Sequence, residues 1–233
     1  IKFHLNAKVK EIKDNSVIYE LGGKDNQISS DAILMAVGRV PNTADLNAEG
    51  IGIEFDKNAI KADKYLRTNI ANIYAIGDVN GKVMLAHTAS HEGFIALDNI
   101  CGKSETMNYS RIPSCIYTNP EIASIGLTEE QAKEKHEKIK VGRFPAVANG
   151  KSLIEGDRDG IFKTIIEETT GEILGVHLYG QNVTEMIGEM AVAMTSGATA
   201  DEMLVAIRPH PTINESLGES FMSAVRGKVI NFL

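Results

Sequence analysis

HPTINESLGESFMSAVRG, residues 210 to 227, places His210 and Glu215 on either side of a proline-led turn and then runs into a helical pattern. Pro211 disfavours helical geometry at the residue before it, which predicts an extended stub at His210. Thr212 and Glu215 have the spacing of a capping box, which starts a helix at once. Ile213, Leu217, Phe221 and Ala224-Val225 give that helix an apolar stripe, and Gly227 ends it. An imidazole held at a helix mouth beside a carboxylate is a candidate acid–base pair, because the carboxylate fixes which ring nitrogen carries the proton. The plainer alternative is that His210 packs in a loop and Glu215 only caps.

The same signals organise the sequence upstream, from about residue 109. Residues 112–118 and 122–126 read as strands around Asn119-Pro120. Thr128-Glu129-Glu130-Gln131 is a second capping box, opening a helix to about residue 137. Residues 138–145, 160–168 and 173–179 read as strands, the last two joined by a hairpin at Thr169-Thr170-Gly171. Val183, Met186, Ile187, Met190 and Met194 fall on one face of a helix that Gly197 stops. A methionine stripe at this spacing belongs to a core or a subunit interface rather than a cofactor site. Thr199 to Glu202 makes a third box, for a short helix to about residue 207. Residues 109–233 are therefore expected to form an α+β domain, an antiparallel sheet with helices.

Residues 1–108 read differently. Residues 7–13 and 16–21 are expected strands around Asp14-Asn15, followed by a turn over 22–26. Residues 32–37 form an apolar run, expected as a buried strand and closed by Gly38-Arg39-Val40-Pro41-Asn42-Thr43. Residues 73–76 read as another short buried strand, with Gly77-Asp78-Val79 at its C-terminal end. Open parallel sheets bind ligands at that end, where a carboxylate can hold ribose or ribityl hydroxyls. Alone, a Gly-Asp pair is also an ordinary strand ending. Met84-Leu85-Ala86-His87 then leads into a helix over 88–100.

Composition bounds the function. The 233 residues are 43% hydrophobic and 24% charged, with a net charge of −7, which is the profile of a globular protein of one or two domains. The acidic balance and the lack of a Lys/Arg-rich run argue against nucleic acid as a partner. No apolar stretch approaches the ~20 residues that cross a bilayer, which argues against a membrane-embedded protein. The two cysteines, Cys101 and Cys115, have no scaffold or metal-ligand spacing. They fit a reducing cytoplasm and are expected as small buried hydrophobes. No metal site is read from the sequence. His4, His91, His136 and His177 lack a constellation and are expected to be structural or on the surface.

Taken in order, AVGRVPNT (36–43), YLRTNIANIYAIGDV (65–79), MLAHTASHEG (84–93), YTNPEIASIGLTEEQA (117–132) and HPTINE (210–215) resemble the flavin-dependent pyridine-nucleotide disulfide oxidoreductases. MLAH favours the dihydrolipoamide-oxidising branch over the glutathione- and mercury-reducing ones. The absence of a cysteine pair in 229–233 also argues against mercuric reductase. The resemblance implies α/β remnants of nucleotide-binding domains followed by an α+β dimerisation domain. Its expected boundaries are 1–40 for the end of an NAD-binding domain, 41–108 for the returning part of an FAD-binding domain, and 109–233 for the dimerisation domain. The family's glycine-rich FAD turn, its Cys-x4-Cys redox pair and its NAD fingerprint do not occur in this sequence. The chain is therefore read as the C-terminal half of a longer enzyme, and on its own it is expected to be inactive and to bind FAD weakly.

The resemblance also implies the chemistry. Electrons would pass from dihydrolipoamide through an active-site disulfide to FAD and on to NAD+. His210 matches the base that takes the thiol proton, and Glu215 its orienting carboxylate, acting across a homodimer interface on the partner's disulfide. Asp78 matches the residue that holds the FAD ribityl chain. Met84, Leu85, Ala86 and His87 match the segment beneath the flavin at a helix N-terminus, and Gly38 a backbone contact near NAD. Lipoyl domains of 2-oxoacid dehydrogenase complexes are the implied protein partners. The alternatives are another flavin-dependent disulfide or NAD(P)H reductase of the same family, or a dimerisation module without catalysis.

Overall fold

The computed structural model describes residues 1–230; of the C-terminal stretch considered above, residues 231–233 lie outside the described residues. The chain opens with a three-stranded antiparallel meander, β1 (Lys8–Lys13), β2 (Ser16–Leu21) and β3 (Lys24–Ser29). The turn expected over 22–26 is confined to Gly22-Gly23, both at positive φ, and the rest of it is already β3.

Residues 30–41 contain no strand, which corrects the expected buried strand at 32–37. Leu34 is 89% exposed, and Met35 and Val37 are also exposed. An apolar run becomes a buried strand only when neighbours take up its backbone groups. Among the described residues none lies alongside this one.

A small hairpin, β4 (Phe55–Asp56) and β5 (Ala59–Ile60), packs with Ala48, Ile53 and Ala75 into a minor core. The expected strand at 73–76 is instead a single antiparallel bridge between Arg67 and Tyr74. Ala75 is buried and its N–H bonds to Leu66, but the ladder goes no further. Residues Gly77–Asn80 turn as a 3-10 helix. Then comes α1 (Ala86–Ile100), which starts two residues earlier than expected. Cys101 caps its C-terminus and is exposed rather than buried.

The second half is the larger unit. A five-stranded antiparallel sheet has the order β6-β7-β10-β9-β8. Its strands are β6 (Ser114–Ile116), β7 (Glu121–Gly126), β8 (Ile139–Pro145), β9 (Ile161–Glu167) and β10 (Ile173–Gly180). α2 (Glu129–Lys135) and α3 (Gly150–Glu155) lie in the connections before and after β8, and α4 (Val183–Ser196), α5 (Ala200–Val205) and α6 (Glu215–Arg226) follow β10. This is the antiparallel sheet with helices that the pattern implied. The boxes at Thr128 and Thr199 both form with reciprocal hydrogen bonds. The stripe Val183, Met186, Ile187, Met190 and Met194 is buried against Phe162, Val176, Leu178, Leu217 and Phe221.

The placement of α6 matters most for the site. It crosses β8 and β9 closely enough that a side chain on Gly142 would meet the Ser220 carbonyl at 1.8 Å. The Thr164 hydroxyl of β9 donates to that same carbonyl at 3.1 Å. A missing Cβ on β8 and one hydroxyl on β9 therefore fix the height of α6, and with it the loop that precedes it.

Candidate functional site

His210 and Glu215 meet. The His210 Nδ1 lies 2.9 Å from one carboxylate oxygen of Glu215, and the other oxygen accepts the Thr212 N–H at 2.9 Å. The capping box read at Thr212 is thus half made. The helix begins at Glu215, with Asn214 at its N-cap, because the Thr212 hydroxyl is turned back to donate to the Pro209 carbonyl at 2.8 Å. His210 precedes a cis proline. Its side chain is 78% exposed, whereas that of Glu215 is 21% exposed. With Nδ1–H committed to the carboxylate, Nε2 is left as an acceptor with no partner among the described residues. Partial burial pushes the Glu215 carboxyl up, but the Thr212 N–H and His210 outweigh it and leave it below the usual carboxylate value.

A polar network lies under this loop that sequence reasoning missed. Arg208 is nearly buried. Its guanidinium donates to the Glu189 carboxylate of α4 at 2.7 Å, to the Met203 carbonyl of α5 at 2.9 Å and to the Asn214 amide oxygen at 3.2 Å. The Asn214 amide in turn donates to the second Glu189 oxygen at 2.8 Å. Gly218 leaves room for the guanidinium: a Cβ there would stand 3.2 Å from Arg208 Nη1. From the other side Asn149, which is buried, caps α3 and donates to the Thr212 carbonyl at 3.0 Å. The stretch from Arg208 to Asn214 is therefore anchored at both ends, and His210 projects from its middle.

The second group of candidate residues lies around the 77–80 turn. Asp78 is paired with Arg39 at 2.6 Å, with its carboxylate facing outward. Met84 and Leu85 are half-buried, Ala86 and His87 exposed, at the start of α1. The His87 Nε2 is 2.9 Å from the Pro113 carbonyl, which ties α1 to the entrance of the antiparallel domain. Gly38 stands in the exposed 30–41 segment at φ +107° with open space around it. Both cysteines are free thiols. Among the described residues no group of three or more His, Cys, Asp or Glu is placed to hold a metal ion. No helix among them is long and apolar enough to cross a membrane.

Residues 112–221 match the family model of the pyridine nucleotide-disulphide oxidoreductase dimerisation domain, and residues 1–93 match a second model described as pyridine nucleotide-disulphide oxidoreductase. The chain belongs to this family. Within it, the chain is 40% identical over 238 residues to the dihydrolipoyl dehydrogenase of Rhizobium etli, covering 99% of the chain and 49% of that relative. It is 38% identical to a Bacillus subtilis dihydrolipoyl dehydrogenase, covering 97% of the chain and 49% of the relative. The mitochondrial dihydrolipoyl dehydrogenase of Mus musculus is 39% identical, over 99% of the chain and 47% of the relative. The chain spans about half the length of the curated relatives it matches. Among solved structures it superposes on the HOCl-induced flavoprotein disulfide reductase RclA from Escherichia coli with a TM-score of 0.81 and 31% identity, over 93% of this chain and 50% of that one. LpdA from Mycobacterium tuberculosis gives a TM-score of 0.82 at 26% identity, over 93% of this chain and 48% of that one.

Proposed function

We propose that the intact protein is a dihydrolipoyl dehydrogenase that oxidises dihydrolipoamide to lipoamide, with FAD as cofactor and NAD+ as acceptor. The observation that carries this reading is the His210–Glu215 pair. Its ring is held at Nδ1 by a carboxylate, and the opposite nitrogen is presented outward on a loop anchored at both ends. A dithiol reacts as its thiolate. In this reading His210 Nε2 takes the thiol proton, and Glu215 holds the tautomer that makes Nε2 the acceptor. Relatives near 40% identity that carry the name dihydrolipoyl dehydrogenase support the same assignment.

The residues of the 77–80 turn fit a flavin nucleotide. Gly77 adopts φ +71°, Asp78 offers an outward carboxylate that accepts from hydroxyls, and α1 begins without a side-chain cap, which leaves its first N–H groups for an outside acceptor. When bound, FAD supplies the electron transfer between disulfide and nicotinamide. Asp78 and the Met84–His87 segment would hold it, with Arg39 yielding or sharing the carboxylate. Gly38, at φ +107° with open space around it, would leave its backbone accessible for the contact near NAD. His210 would act on the disulfide of a second subunit in a homodimer, which the dimerisation-domain match supports. Lipoyl domains of 2-oxoacid dehydrogenase complexes would deliver the substrate. Two free thiols support a cytoplasmic setting.

His210→Gln tests the reading in the intact protein. Loss of a positioned base should slow dihydrolipoamide oxidation by about 10²- to 10⁴-fold. Transfer from NADH to an artificial acceptor needs no thiol deprotonation and should change far less. Equal losses in both assays would make His210 structural.

A further inference from the structure

Glu92, on α1, is fully buried, and nothing in the proposed mechanism uses it. A carboxylate inside a protein is costly unless donors surround it. Glu92 has three. One oxygen accepts the Gly77 N–H at 2.6 Å and the Asn80 side-chain amide at 2.9 Å, and the other accepts the Tyr109 hydroxyl at 2.5 Å.

Two of these donors share one feature. Gly77 and Asn80 open and close the single turn that carries Asp78. The turn is also clamped sterically: a Cβ on Gly77 would stand 3.0 Å from Cβ of Ala89 on α1. Asp78 itself makes no bond to α1, and its carboxylate reaches outward to Arg39. Glu92 thus grips both flanks of a residue whose side chain points away from α1, toward Arg39. It does so from the same helix whose N-terminus opens at Ala86. Tyr109, at the entrance to the antiparallel domain, holds Glu92 from the far side.

We infer that Glu92 is a positioning residue for the cofactor: through Gly77 and Asn80 it fixes where the Asp78 carboxylate stands relative to the uncapped start of α1. This rests on the reading of Asp78 as a ribityl-binding residue. Glu92→Gln keeps the shape but turns an amide N–H2 against donors. Losing one hydrogen bond to a charged acceptor in this way should weaken FAD binding about tenfold or more.

The test is a double-mutant cycle on the intact flavoprotein, stripped and retitrated with FAD by flavin fluorescence, using Glu92→Gln and Asp78→Asn. The expected result is that the Glu92→Gln effect shrinks to less than about twofold in the Asp78→Asn background, because the two residues act as one unit. An undiminished effect in that background means Glu92 supports the fold without setting Asp78, and the inference fails while the role of Asp78 stands. A Glu92→Gln protein that binds FAD normally overturns it as well. If Asp78→Asn alone leaves FAD affinity unchanged, the reading of Asp78 fails first and takes this one with it. Tyr109→Phe, which removes one donor and no charge, runs through the same cycle with an expected weakening of about threefold, so a Glu92→Gln chain that fails to fold does not end the test.

Discussion

Replacing Arg208 with methionine should uncouple the His210 loop from the fold. The Arg208 side chain is 10% exposed, and its guanidinium bonds Glu189, Met203 and Asn214, which belong to α4, α5 and the entry to α6. Methionine fills much of the volume but leaves the Glu189 carboxylate with the Asn214 amide alone. Removing one member of a buried ion pair costs about 3–5 kcal/mol. Glu189 is 33% exposed, so water can resolvate it, which lowers the expectation to about 2–3 kcal/mol. Arg208→Lys keeps the charge and loses the planar fork, for about 1–2 kcal/mol. Urea unfolding midpoints of Arg208→Met, Glu189→Gln and the double variant give the coupling, expected at about 1–2 kcal/mol. The same substitution should reach the chemistry. Under the proposed dihydrolipoyl dehydrogenase reading, a displacement of His210 by about 1 Å in the intact protein would cut dihydrolipoamide turnover by about 10²-fold, while electron flow from NADH to an artificial acceptor holds. A loss of stability below about 0.5 kcal/mol, or a coupling energy of zero, would refute the idea that Arg208 anchors the loop.

Two further outcomes follow from the geometry. Gly142→Ala should drive a Cβ into the Ser220 carbonyl and the Ala224 N–H, pushing α6 off the sheet at a cost of about 3 kcal/mol or more; a thermal unfolding midpoint equal to the wild type would show that α6 adjusts freely. The folded-state pKa of Glu215 is depressed, so its contribution to stability is present above the unfolded carboxylate value of about 4.3 and is lost as pH falls through the lower folded value. The stability gap between wild type and Glu215→Gln should therefore close on acidification, and a gap unchanged between about pH 6 and about pH 3 would contradict it.

What the sequence disclosed and what it hid follow the range of the interactions. The boxes at Thr128–Gln131 and Thr199–Glu202 close within four residues, so spacing alone reveals them. The methionine face of α4 is legible for the same reason, as helical period needs no partner to be recognised. Arg208 was not legible. Its anchors include Glu189, nineteen positions away, and a lone arginine before a proline reads as a surface charge. Glu92 is hidden in the same way, since its donors come from the 77–80 turn and from Tyr109. The short helix α3 did carry a local signal, Asn149 capping the Ser152 N–H, that could have been read. Residues 32–37 failed in the opposite direction: the apolar run is there, but strand formation depends on neighbours that the run itself cannot specify.

Orienting the His210 ring and capping the helix do not compete for Glu215. A carboxylate has two oxygens and accepts on both. One takes the Thr212 N–H and the other takes the His210 ring. The Thr212 bond holds the Glu215 side chain in one rotamer before any substrate is present, so orienting the imidazole costs little further side-chain entropy. It also ties the imidazole to the first turn of α6, whose height is set by Gly142 and Thr164 beneath it. An exposed ring thereby takes its position from the core of the sheet. The 77–80 turn is built on the same plan, with an outward-facing carboxylate at Asp78 and a buried one, Glu92, gripping the backbone on either side of it. In both places the group that faces outward takes its position from a carboxyl side chain behind it that is less exposed than itself, 21% for Glu215 and fully buried for Glu92.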